Sequence, residues 1–279
     1  MAAEAGGSPG RFANRVAFIT GAGRGQGASH ALRLAELGAD VAIIDLGDAG
    51  SVTTPRYATA TRREMENVAA SICRLGRRAI VIEADVRSAE QMAQAGQRTV
   101  EELGQIDFVI ANAGITDAFA PTWEIAPQNW QTMIDINLTG AFHTIRATVP
   151  HMLSEPDGRG VVLICSGVAI KAVPNLSHYV AAKTGLRGLA AALAAELGPY
   201  GIRCNSIYPA GIDTEMTTAM VDLNGVARSE LLQNFRSNQL LDRNVEISDV
   251  TAALVWLLSE DARSVTGLEL TVDAGETKK

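Results

Sequence analysis

Short apolar runs recur along the chain and alternate with longer stretches of helical spacing. The runs occupy residues 16–20, 41–45, 79–85, 108–112, 161–166, 202–207 and 268–272, and they predict seven strands. Most are continuously apolar rather than alternating, so both faces of each strand are expected to be covered, as in a parallel sheet between helical layers. Helical spacing appears at residues 26–37, 62–75, 90–103, 129–152, 178–197 and 248–258. A strand and helix alternation of this kind predicts an α/β fold: a single Rossmann-like domain, doubly wound, with a seven-stranded parallel sheet and helices on both faces.

One connection is too long for its place. Forty residues separate Asp45 from Asp85, more than one crossover helix and βα loops of about 2 to 6 residues require. The surplus is a Gly-, Thr- and Ser-rich insertion at residues 46–62, expected as a surface loop. It is either a tolerated insertion or a cover over whatever binds at the neighbouring strand end. Residues 1–14 read as a flexible leader without the apolar core of a secretory signal, which leaves 15–279 as the domain. Residues 212–246 have weak periodicity and scattered charge, the pattern of a mobile lid over substrate.

Composition narrows the function classes. With 24 basic against 31 acidic residues the net charge is −7, and no basic cluster offers itself to a phosphate backbone, so no nucleic-acid partner is expected. No apolar run approaches the roughly 18 residues that span a bilayer, so no membrane is expected either. Cys73, Cys165 and Cys204 are odd in number and sit in apolar runs, the pattern of reduced, buried thiols in a cytoplasmic protein. His30, His143 and His151 lie on helical stretches without HExxH spacing, so the expectation for metal is none.

The candidate chemistry begins at the first strand-to-helix junction, Thr20-Gly21-Ala22-Gly23-Arg24-Gly25-Gln26-Gly27. Glycines here let backbone N–H groups approach a pyrophosphate at a helix N-terminus. The second strand ends in Asp45, where a carboxylate accepts both ribose hydroxyls of an adenosine. About 4 Å from a 2′-phosphate charge, that carboxylate is repelled by on the order of 4 kcal/mol at an effective dielectric of 20, which favours NAD over NADP. Arg24 pulls the other way, because a guanidinium can pair with such a phosphate.

Tyr179 and Lys183 stand four residues apart, on one face of a helix. An ammonium about 4 Å from a phenol lowers its pKa by roughly three units at the same dielectric, bringing it near neutrality as a general acid/base. Ser166 ends the fifth strand of the expected sheet and offers a hydroxyl to a substrate oxygen, although a strand-end serine is ordinarily a turn or helix cap. His178 beside Tyr179 invites a Ser/His hydrolase reading, but no GxSxG elbow surrounds Ser166.

With these residues in this order, the chain resembles the short-chain dehydrogenase/reductase family over residues 15–275. TGxxxGxG is met by Thr20, Gly21, Gly25 and Gly27, NAG by Asn112, Ala113 and Gly114, and YxxxK by Tyr179 and Lys183; Asn137 matches the helix asparagine and Ser166 the serine. The resemblance implies that Tyr179 is the acid/base, Ser166 orients substrate, Lys183 binds the nicotinamide ribose and Asn137 supports a proton path. It further implies a dinucleotide site that includes Gly23, Arg24, Gln26, Asp45, Leu46, Asp85, Val86, Pro209, Gly211, Ile212, Thr214 and Met216. GAGRGQG, the insertion, LGRRAIVIEADVR and the PHM at 150–152 are similar to the carveol dehydrogenase group, whose members resemble mycofactocin-coupled enzymes that keep and recycle NAD in place. Cys165 before the serine and Lys171 in the following segment depart from that pattern.

Candidates for the substrate pocket, besides Ser166 and Tyr179, are Val168, Val173, Leu176, His178, Met216 and Met220. Their mostly apolar character suits a hydrophobic secondary alcohol or its ketone, terpenoid in the nearest resemblance, and the same residues also suit plain core packing. The helix at 178–197 is apolar on more than one face and is expected to meet a second subunit together with the 129–152 helix; the family resemblance suggests a homotetramer. The competing reading is a dinucleotide-sensing binding protein without turnover.

Overall fold

The computed structural model describes residues 10–53, 56–154 and 157–279. Seven parallel strands form the main sheet: β1 Val16–Thr20, β2 Asp40–Asp45, β5 Ala79–Glu83, β6 Phe108–Ala111, β7 Gly160–Ile164, β8 Arg203–Pro209 and β9 Glu269–Val272. Their order is β5-β2-β1-β6-β7-β8-β9. The predicted strands are all present, with ends shifted by one or two residues. Phe18 pairs with Ala42 on one side and Val109 on the other, so β1 is central. The chain leaves the β5 edge and returns beside β1, and the crevice at the carboxyl ends of β1 and β6 is therefore the switch point where such sheets bind ligands.

Every residue of β1 is buried. Val16 and Phe18 face one apolar core, with Met92 of α3 (Ala89–Leu103), Ile145 of α5 (Gly140–Thr148) and Leu186 of α6 (Ser177–Leu197). Ala17 and Ile19 face the other, with Leu34 of α1 (Gly25–Glu36), Met65 of α2 (Arg62–Arg74) and Leu254 of α9 (Ile247–Leu258). This two-sided cover is what the unbroken apolar runs require. The edge strand β9 is more open, with Glu269 exposed. Thr61 and Glu64 start α2 with a reciprocal capping box, fixing where the insertion ends.

Several elements differ from expectation. In the segment read as a flexible leader, residues 1–9 lie outside those described, but Phe12 is buried and packs edge-on against Phe108 with ring centroids 5.1 Å apart. The packed domain thus begins before residue 15. The 46–62 insertion is not a plain loop: β3 Val52–Thr53 and β4 Arg56–Tyr57 form an antiparallel hairpin. The single helix expected at 129–152 is α4 Pro127–Ile134, a π-helical turn Asp135–Thr139 and α5. The 212–246 segment, expected as a lid, holds two helices, α7 Glu215–Asn224 and α8 Arg228–Ser237. Cys73 is exposed, against the expectation that all three thiols are buried, because it lies on the outer face of α2. Among the described residues, no helix is long and apolar enough to cross a membrane, and no cluster of metal-ligating side chains occurs.

Candidate active site

The carboxyl ends of β1, β2, β6 and β7 open into a cleft. At its floor the glycine turn is built for close approach. Gly21 has φ +66°, and a methyl on Gly27 would stand 2.1 Å from the Gly21 carbonyl oxygen, so helix α1 can follow β1 this closely only with glycine there. Asn112 holds the turn from across the switch point, its side-chain amide donating to the carbonyls of Thr20 (2.9 Å) and Gly21 (3.2 Å). Thr20 Oγ1 in turn accepts the N–H groups of Asn112 and Ala113.

Asp45 sits at the rim of β2 where the sequence placed it. Its Oδ2 accepts the N–H of Gly23 and its Oδ1 that of Leu46, both at 2.9 Å. Burial raises its pKa, opposed by those two N–H groups and by Arg24. The Arg24 guanidinium does not hang free: it donates to the carbonyl of Ala58 in the insertion. Asp85 lines the cleft with Val86, but its carboxylate is clasped by Arg87, whose Nη2 also reaches the Ser51 carbonyl. Burial raises the Asp85 pKa and the Arg87 bonds outweigh it, so the net shift is downward.

At the other end of the cleft stand Tyr179 and Lys183. Lys183 Nζ donates to the Ile164 carbonyl at 3.1 Å and lies 5.7 Å from the centroid of the Tyr179 ring. Ser166 lies close enough to the phenol to favour its ionised form. The expectation of a phenol titrating near neutrality is not met: burial pushes Tyr179 up to about 12, opposed by Ser166, and pushes Lys183 down to about 8. Desolvation is the largest cause in both cases.

Asn137 occupies the π turn between α4 and α5, a distortion often found at functional sites. Its Oδ1 accepts the N–H of Ile115, and its amide donates to the carbonyls of Ile115 and Met133. A methyl on Gly114 would lie 2.7 Å from Asn137 Oδ1 and 3.5 Å from Lys183 Nζ, so these polar groups converge beside the NAG segment.

Most of the candidate dinucleotide residues line this one cleft: Gly21, Arg24, Gly25, Gln26, Asp45, Leu46, Asp85, Val86, Asn112, Ala113, Gly114, Tyr179, Lys183, Thr214 and Met216. Gly23 and Gly27 shape the turn behind it. Pro209 ends β8, Ile212 is buried, and Gly211 packs against the Phe235 ring, and none of these three lines the cleft.

The substrate candidates divide. Val168 lies in the turn whose N–H bonds Ser166 Oγ, and Met220 is half-buried on α7. Val173 is exposed and Leu176 is buried. His178 does not face the cleft: it is fully buried, with Nε2 3.0 Å from Asp117 Oδ2. Asp117 was invisible to the sequence reading because it lies 61 positions away. Also missed were Val52, Tyr57, Thr59 and Ala60 of the insertion and Glu215 of α7, all of which line the cleft. The only available signal was the length of the insertion.

Comparison with known proteins agrees with this geometry. A family model described as enoyl-(acyl carrier protein) reductase matches residues 21–277. The (−)-trans-carveol dehydrogenase of Rhodococcus erythropolis is 42% identical over 277 residues, 96% of this chain and 99% of that one. Among solved structures, carveol dehydrogenase from Mycobacterium avium in complex with NAD superposes with TM-score 0.91 at 40% identity, covering 97% of this chain and all of that one. A short-chain dehydrogenase from Mycobacterium paratuberculosis bound to NAD gives 0.86 at 31% identity, with 97% and 100% covered.

Proposed function

Since the chain belongs to the short-chain dehydrogenase/reductase family, we propose that it is an NAD-dependent oxidoreductase interconverting a hydrophobic, carveol-like secondary alcohol and its ketone. The observation that carries this reading is the convergence of the glycine turn, Asp45, Tyr179 and Lys183 on one cleft at the switch point, with Ser166 beside the phenol just behind its wall.

The residues present fit the dinucleotide. Asp45 offers a carboxylate, already oriented by Gly23 and Leu46, to ribose hydroxyls, and the N-terminus of α1 faces the cleft for a pyrophosphate. Arg24 is held by Ala58, which weakens its claim as a 2′-phosphate partner and favours NAD. When bound, NAD supplies the acceptor for hydride from the carbinol carbon. Tyr179 takes the hydroxyl proton in oxidation and returns it in reduction. Ser166 holds the reacting oxygen by hydrogen bonding. Lys183 supplies positive charge near the phenol, and Asn137 keeps the segment after NAG in place while sharing a polar corner with Lys183.

Ile115, Ile136, Ile164 and Met216 make the remaining cleft wall apolar, which suits a cyclic hydrocarbon alcohol better than an anion. The insertion hairpin contributes Val52 and Tyr57 to the opposite wall, a cover that would retain NAD and require recycling in place by a redox carrier of the mycofactocin kind. Exposed Trp130 and Phe142 on α4 and α5 are offered as contact surface in a homotetramer.

The test is to examine protein as isolated by absorbance and mass spectrometry for NAD, then to follow oxidation of carveol and a panel of alcohols with NAD or an artificial electron acceptor. Retained NAD and carveol turnover are expected. Dinucleotide binding without turnover of any alcohol would favour a sensor instead.

A further inference from the structure

The turnover proposed above does not use His178, the residue immediately before Tyr179, yet the structure buries it completely against a buried carboxylate. Asp117 Oδ2 takes His178 Nε2 at 3.0 Å and the Asn129 side-chain amide at 2.7 Å, while Oδ1 takes the N–H of Ala118 at 2.7 Å. Burying a carboxylate is costly unless its oxygens are satisfied, and here they are met by donors from the 117–118 segment itself, α4 and the first turn of α6. His178 Nδ1 has no hydrogen-bond partner among the described residues, so the Asp117 bond is the ring's one polar tether there.

Asp117 belongs to a short segment with unusual connections. At one end Ile115 lines the cleft and its N–H is bonded to Asn137. At the other, the N–H of Phe119 donates to Asn224 Oδ1 at 2.7 Å, at the end of lid helix α7, and the N–H of Ala120 to the Asn175 carbonyl at 2.9 Å. The segment therefore touches the lid, the NAG corner and, through Asp117, the helix turn that carries Tyr179.

We propose that His178 and Asp117 are positioning residues: their bond ties the 115–120 segment to the start of α6, so that the substrate wall, the lid attachment and the Tyr179 phenol hold one relative placement. The role rests on the reading of Tyr179 as the proton-transfer group. A sub-ångström to ångström displacement of such a group is enough to cost orders of magnitude in rate. Glutamine can place an N–H donor near the position of imidazole Nε2, whereas phenylalanine fills the volume without a donor.

The experiment compares wild type with His178→Gln, His178→Phe and Asp117→Asn. It measures carveol oxidation, NADH binding by fluorescence, and hydrogen–deuterium exchange resolved to peptides. In His178→Phe, exchange at residues 115–120 should rise by about tenfold or more and kcat should fall at least about tenfold, with NADH affinity within about twofold of wild type because the glycine turn lies at the opposite end of the cleft. His178→Gln should recover kcat to within about threefold of wild type. Asp117→Asn puts an amide donor against existing donors and should reproduce the phenylalanine phenotype.

Unchanged kcat in His178→Phe overturns the proposal. So does unchanged exchange at 115–120, glutamine as impaired as phenylalanine, or exchange raised equally over the whole sheet, which would make the pair ordinary core. If wild type oxidises no alcohol, the functional reading fails; the localised exchange then decides the clamp by itself.

Discussion

Lys183 and Tyr179 share one face of α6, with the ammonium nitrogen 5.7 Å from the centroid of the phenol ring and bonded to the carbonyl of Ile164. The helix fixes this spacing. Burial acts on the two groups toward their neutral forms, raising the phenol to about 12 and lowering the ammonium to about 8. The protein alone therefore leaves the phenol protonated, and a positively charged ring bound in the cleft would favour the phenolate, which the proposed role of Tyr179 as a base requires.

Tyr179→Phe removes the exchangeable proton and leaves the ring. Oxidation of carveol should fall by about 10²- to 10⁴-fold, the usual contribution of a positioned acid/base, while NADH binding and the thermal midpoint stay near wild type. Stopped-flow absorbance at 340 nm together with a fluorescence titration separates these outcomes. Turnover equal to wild type would remove Tyr179 from the chemistry.

The pH dependence should differ between the two directions. If Tyr179 is the acid/base, alcohol oxidation needs the deprotonated phenol, so kcat/KM should climb with a slope near one on logarithmic axes as pH rises from about 6 to about 8, while ketone reduction, which needs the protonated phenol, stays flat over the same interval. Above about 8, Lys183 loses its charge and with it the support for the phenolate, so the oxidation profile should flatten there. Profiles of both directions on the same preparation check the sign, and a flat oxidation limb contradicts it.

The sheet was legible because burial on two faces leaves an unbroken apolar run, visible without any tertiary information in strands such as Val16–Thr20. The placement of Asp45, Tyr179 and Lys183 at the cleft was legible because strand ends and helix spacing place side chains locally. The hairpin at Val52 and Tyr57 was not, since two-residue strands have no periodicity to read. Neither was the bond between His178 and Asp117, which depends on folding two distant segments together. The phenol's pKa was misjudged for a related reason: sequence spacing gives the distance to a charge but not the depth of burial that opposes it.

Asp45 should control cofactor choice. Replacing it with alanine removes a carboxylate already aligned by two N–H groups and removes repulsion of a 2′-phosphate worth up to about 4 kcal/mol at an effective dielectric of 20. The ratio of kcat/KM for NADP to that for NAD should rise at least about tenfold, chiefly through loss of NAD affinity, because Arg24 stays tied to Ala58. An unchanged ratio would show that the ribose lies elsewhere.

Shortening residues 48–59 should open the cleft. This deletion removes Val52, Tyr57 and Thr59 from the wall and frees Arg24 from Ala58. If the hairpin retains the dinucleotide, wild type carries NAD through desalting and the shortened protein loses it, with an off-rate higher by about tenfold or more, since interface changes act mainly on dissociation. Equal retention by both proteins would make the hairpin a tolerated insertion.

His30 makes stability depend on pH away from the cleft. It is fully buried between α1 and α9, with Nδ1 2.8 Å from Thr251 Oγ1, and burial lowers its pKa from 6.5 to about 3. The unfolded chain therefore binds a proton between these values that the folded protein refuses, so stability from this group is full above about 6.5 and is lost as pH falls. Between pH 7 and pH 5 the loss amounts to about 2 kcal/mol. In His30→Asn, which keeps a polar group near Nδ1 but cannot titrate, urea midpoints should fall less steeply over this interval than in wild type. Parallel pH dependences in the two proteins would mean that the imidazole is not held neutral in the folded state.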